Sequence, residues 1–132
     1  MRPVRLHAPD APAPKGFYSP AVRIGNLIFT AGQLPLDPKT GECLRGSVEE
    51  QTDLVIRNIK ALLETNGSSL EHVVKSTIFI RSTDQWDAVN KVYSRYFENT
   101  TPPARGIYCG LDIKYGLDIE MEVVAAIAEP EE

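Results

Sequence analysis

The stretch SVEEQTDLVIRNIKALLETNGSSLEHVVKSTIFI, residues 47–80, changes its hydrophobic period once, and that change decides the fold. Between Ser47 and Gly67 the positions Val48, Thr52, Val55, Ile59, Leu62 and Leu63 recur at helical spacing, which predicts an amphipathic helix. Ser47 and Glu50 stand three residues apart at its start, the spacing of a capping box. Gly67 supplies the C′ residue that leaves the helix in a left-handed conformation. Then VVKSTIFI, residues 73–80, is short and β-branched, which predicts a central strand.

Working outward, VRIGNLIFTAGQ (22–33) places Gly25 and Asn26 between two β-rich runs and predicts a hairpin. LPLDPKTGE (34–42) stacks Pro35, Pro38 and Gly41 into a loop. Downstream, Asp84 is placed to cap a second helix whose apolar stripe is Trp86, Val89, Tyr93, Tyr96 and Phe97. ENTTPP (98–103) breaks that helix, residues 104–111 return to extended chain, and LDIEMEVVAAIA (117–128) forms the last strand. The order β-β-α-β-α-β-β predicts an α+β fold, two helices on one face of a mixed sheet. Residues 1–16, with Pro3, Pro9, Pro12 and Pro14, read as an extended, partly mobile arm before a single domain spanning 17–132.

A formal net charge of -4 carries no basic excess of the kind that nucleic acid attracts. No apolar run approaches the roughly 18 residues that cross a bilayer, and the first residues lack the apolar core of a signal peptide, so a soluble, cytoplasmic protein is expected. Cys43 and Cys109 read as reduced thiols. His7 and His72 have no partner at ligand spacing, so neither metal nor other cofactor is expected.

Alternation in the last strand puts Leu117, Ile119, Met121, Val123, Ala125 and Ile127 on one face and Asp118, Glu120, Glu122, Val124, Ala126 and Ala128 on the other. Two helices cover only one side of a sheet, so another subunit is expected on the second. Residues 104–111 divide likewise. The small set Ala104, Gly106 and Gly110, with Tyr108, is assigned to the helix side, which sends Arg105, Ile107, Cys109 and Leu111 to the second face. A guanidinium that enters an apolar strand requires an anion. Either a ligand supplies it, or Glu120 or Glu122 does in a structural ion pair.

Several blocks together resemble the RidA/YjgF family of enamine/imine deaminases: YSPAVRIGNLIFTAGQLPLDPKTGE, EQTDLVIRNIKALLE, GSSLEHVVKSTIFI, AVNKVYSRYF, PPAR and IEMEVVAAIA, in one register over residues 17–128. The resemblance implies a chorismate-mutase-like fold assembled as a homotrimer, with a central β-barrel and clefts between subunits. It places the family's substrate-binding arginine at Arg105, its water-handling glutamate at Glu120, its N-terminal tyrosine at Tyr18 and the glycine of its Gly-Gln turn at Gly32. Asn90 matches the asparagine of its second helix. Gly106 and Ile107 stand where many relatives carry Ser or Thr and then Cys, and Ala31 replaces a serine. Backbone groups at these positions would preserve activity, whereas a requirement for hydroxyl or thiol would change its rate or substrate range.

The reaction so implied is hydrolysis of a 2-imino acid, released as an enamine by a pyridoxal-phosphate enzyme, to a 2-keto acid and ammonia. Arg105 would clamp the carboxylate, Glu120 would activate water, and backbone near Gly32 and Ile107 would hold the nitrogen side. The alternative is a non-catalytic trimer of the same fold that binds small carboxylic acids. A role in RNA cleavage, attached to some relatives, is disfavoured by the acidic charge.

Overall fold

The computed structural model describes residues 1–128. Its strands are β1 (Val4–Leu6), β2 (Ala21–Ile24), β3 (Leu27–Thr30), β4 (Val73–Ile80), β5 (Ala104–Tyr108) and β6 (Ile119–Ala126). The helices are α1 (Val48–Thr65) and α2 (Trp86–Phe97). One mixed sheet runs in the order β1-β2-β3-β6-β4-β5, antiparallel throughout except for β4 beside β5. The fold is α+β, with both helices layered on one face.

Helix α1 starts and stops where local chemistry dictates. The Ser47 hydroxyl accepts from the Glu50 amide at 3.1 Å while the Glu50 carboxylate accepts from the Ser47 amide at 3.1 Å. Gly67, at φ 83, carries the chain out of the helix, and the Ser68 amide reaches back to the Leu63 carbonyl at 2.9 Å. Val55, Ile59, Leu62 and Leu63 are fully buried against Ile78, Ile80, Ile119 and Met121 of the central strands. The β2–β3 hairpin turns at Gly25 and Asn26, with Ile24 opposite Leu27.

Three details differ from the sequence reading. The N-terminal arm contributes β1, which pairs with β2 and places Val4 opposite Arg23 at the sheet edge. Ser82, rather than Asp84, makes the cap before α2: its hydroxyl accepts from the Asp84 amide, and the Gln85 side chain returns a bond to the Ser82 amide. The third concerns β5. Its register sets Arg105 beside Ser76 and Ile107 beside Ile78, both on the helix face, while Gly106 and Tyr108 lie beside Thr77 and Phe79 on the open face. Small residues serve an aromatic ring here, not a helix. The Tyr108 ring folds back over Gly106, where a Cβ would lie 3.1 Å from it, and stacks on Phe79 with centroids 5.9 Å apart.

Candidate functional site

Glu120 occupies the second position of β6, on the open face. Asp118, just before it, is held by the Gln51 amide at 2.9 Å, by its own amide donating to the Gln51 carbonyl at 2.8 Å, and by Arg81 at 3.4 Å. These bonds tie the start of β6 to α1 and to the end of β4. Alongside, the β3 chain gains one residue on β6. Phe29 pairs with Val124 and Gln33 with Met121, so Thr30, Ala31 and Gly32 stand opposite only Val123 and Glu122. The Thr30 hydroxyl spans the irregularity by accepting from the Val123 amide at 3.0 Å.

That extra residue brings Gly32 against the Glu120 side chain. A Cβ on Gly32 would overlap a Glu120 carboxylate oxygen, so only glycine leaves the carboxylate its position. Beside them is a cavity of about 280 Å³ bounded by Tyr18, Gly32, Leu34, Lys114, Tyr115 and Glu120. Burial raises the Glu120 pKa above the ordinary glutamate value of 4.5, Glu122 adds to the rise, and Lys114 opposes it. The ammonium that tempers this carboxylate is thus Lys114.

Arg105 lies elsewhere. Its guanidinium donates to the Asn90 side-chain oxygen at 2.8 Å and rests between two aromatic faces, 4.9 Å from the Tyr93 centroid and 5.4 Å from that of Trp86. Trp86, Asn90 and Tyr93 follow one another at helical spacing along α2, and the Tyr93 hydroxyl donates to Ser76 at 2.9 Å. Among the described residues no carboxylate lies within 4.0 Å of Arg105, so the ion pair with Glu120 or Glu122 is not formed within the chain. Arg105 also lines a groove together with Pro102, Pro103, Phe97 and Ser94.

The sequence-derived residues therefore fall into two groups. Tyr18, Gly32 and Glu120 share one cavity. Arg105 and Ile107 sit on the opposite face of the sheet at the β5 edge, with Ile107 packed into the main core. Sequence reasoning missed Lys15, Lys114 and Tyr115 at the cavity rim and the stacking of Trp86 and Tyr93 on Arg105. The helical spacing of Trp86, Asn90 and Tyr93 was a signal for the second group, whereas lysines in loops carry no comparable pattern.

Fold and site place the chain among small α+β proteins built on one mixed sheet. The chain belongs to the RidA/YjgF family: the family model described as Endoribonuclease L-PSP matches residues 8–127. A RutC family protein of Pyrococcus abyssi is 46% identical over 115 residues, covering 87% of this chain and 90% of the relative. The YjgF gene product of E. coli superposes with a TM-score of 0.88 at 34% identity, over 93% of this chain and 98% of that one. E. coli TdcF, solved with bound serine, superposes with a TM-score of 0.89 at 29% identity, over 95% and 99%.

Proposed function

We propose that the protein is a hydrolytic deaminase of 2-imino acids, working in clefts between the subunits of a homotrimer. The observation that carries this reading is the division of the site. A half-buried carboxylate with a cavity lies on one face, and a guanidinium without a carboxylate partner among the described residues lies on the other, at the free edge of the sheet. A second copy docked on the open face brings its Arg105 to the first copy's Glu120, and the resulting cleft holds both halves of a reaction. The relative TdcF with bound serine supports a ligand that carries an amino acid's carboxylate.

Arg105 grips that carboxylate in a bidentate fork, steadied by Asn90 and the two rings, and so fixes the neighbouring C=N carbon. Glu120 accepts a proton from water as its oxygen bonds to that carbon, giving a carbinolamine. Glu120 returns that proton to the nitrogen to complete the carbinolamine, then relays the hydroxyl proton to the same nitrogen as the C–N bond breaks, so that ammonia leaves a 2-keto acid behind. Backbone groups around Gly32 line the nitrogen side. Ile107 supplies backbone at most, because its partly buried side chain packs against the core.

The divided site makes a sharp prediction for mixed assemblies. Arg105→Ala and Glu120→Gln should each abolish turnover of 2-iminopropanoate. Co-refolding them in equal amounts should restore about a quarter of wild-type activity, the share of clefts that draw an intact residue from each neighbour in a closed head-to-tail ring. Mixtures as inactive as the parents would show that one chain supplies both residues, or that the protein binds carboxylates without turning imines over. Wild-type turnover of 2-iminopropanoate separates those outcomes: hydrolysis above the spontaneous rate leaves one chain supplying both residues, and none leaves a carboxylate binder.

A further inference from the structure

Two lysines at the Glu120 cavity make no contact with the substrate in the reaction just described, although Lys114 tempers the Glu120 carboxylate. Lys15 enters from the N-terminal arm and Lys114 from the turn before β6, and their ammonium groups lie 5.4 Å and 5.1 Å from the centroid of the Tyr115 ring. Neither has a carboxylate within 4.0 Å among the described residues.

Their placement is built in from several directions. The Lys15 ammonium donates to the Gly41 carbonyl at 2.6 Å. Gly41 itself has φ 75, and a Cβ there would stand 3.3 Å from the Lys15 stem, so the loop keeps room for this side chain. Tyr115 has φ 62, the one non-glycine residue in the left-handed region among the described residues, and the Arg45 guanidinium holds its carbonyl at 2.8 Å. A ring held in a costly backbone conformation thus arranges two cations at the mouth of a cavity whose single carboxylate is Glu120. Among the residues that line the cavity, the two ammonium groups outnumber the one carboxylate.

We propose that this excess charge receives a second carboxylate on the substrate's side chain, so that the preferred substrates are 2-imino dicarboxylic acids rather than imines of small apolar amino acids. The inference rests on the deaminase reading above, in which Arg105 of a neighbouring copy holds the carboxylate next to the imine. With that group engaged and Glu120 committed to water, Lys15 and Lys114 remain for an anion at the far end. An imine whose side chain bears no carboxylate leaves these two ammonium groups, both exposed in the single chain, without a counter-charge from the ligand.

The test compares the imine of aspartate, made in situ with D-aspartate oxidase, with the imine of alanine, made with D-amino-acid oxidase. Wild type should show a kcat/KM at least tenfold higher for the dicarboxylic imine. The double variant Lys15→Met, Lys114→Met, which keeps the apolar stems, should lower that ratio by about tenfold or more, and added salt should erode it in wild type. Wild type turning over both imines equally, or a ratio that the double variant leaves unmoved, overturns the proposal. If neither imine is hydrolysed, the deaminase reading has failed and binding decides the inference separately. Succinate bound about tenfold more tightly than butanoate, with the preference lost in the double variant, supports the two-cation subsite; equal affinities refute it.

Discussion

At the scale of single residues, Glu120 carries the clearest consequence. As the base for water it works ionised, so kcat/KM should fall as pH drops through its folded-state pKa. Burial and Glu122 put that midpoint above 4.5. Glu122→Gln should move the acid limb to lower pH by removing a like charge, and Lys114→Met should move it higher; a pH–rate profile of each variant reads both shifts. Stability has the matching sign. Because the folded state holds the Glu120 proton to higher pH than the unfolded chain does, stability declines as pH rises from the unfolded value through the folded one. Glu120→Gln should therefore leave Tm unchanged in acid and raise it near neutrality, which thermal melts at two pH values check. Arg105 and Glu120 were singled out in the sequence; what surrounds each of them was not legible there. Lys114 acts through space from a turn, and Asn90 reaches Arg105 across a helix–strand contact.

Among elements, legibility followed the range of the interaction. The α1 cap joins residues three apart, so Ser47 and Glu50 announced it, and Ser47→Ala should cost about 1 kcal/mol in chemical denaturation. The faces of β5 were misread for a reason of longer range. Alternation names two sets without saying which one meets the helices, and the pairing of Ile107 with Ile78 across strands decides it. The irregularity at Ala31 and Gly32 was likewise hidden, since it exists only as a mismatch between β3 and β6. It yields a test all the same. Gly32→Ala forces the Glu120 carboxylate away and should lower imine turnover by at least tenfold, while far-UV circular dichroism stays that of wild type. Unimpaired turnover in this variant would separate Glu120 from the chemistry.

For the molecule as a whole, the open face of the sheet is the dominant feature. Leu27 and Phe29 are 39% and 43% exposed on β3, next to Ala126 and Val124 of β6, and Phe79 and Tyr108 continue the surface toward the far edge. That a face lacked cover was readable from the count of helices. Its composition was not, because Ile107 turns inward and Phe29 had been given no side. Light scattering should find a particle about three times the 14.6 kDa chain mass. Phe29→Glu, which puts a charge on that face without touching the core behind it, should shift the particle toward monomer and remove activity together with assembly. A monomeric wild type that still hydrolysed imines would overturn the divided cleft.

The chain contains one tryptophan, and it lies against Arg105. An indole 5.4 Å from a guanidinium emits at an energy set partly by that charge, so whatever neutralises the arginine changes the colour of the light. Unlabelled protein therefore carries its own optical gauge of the carboxylate-binding half of the cleft, blind to the Glu120 half, and a stopped-flow trace at Trp86 would time the arrival of a ligand apart from the chemistry that follows.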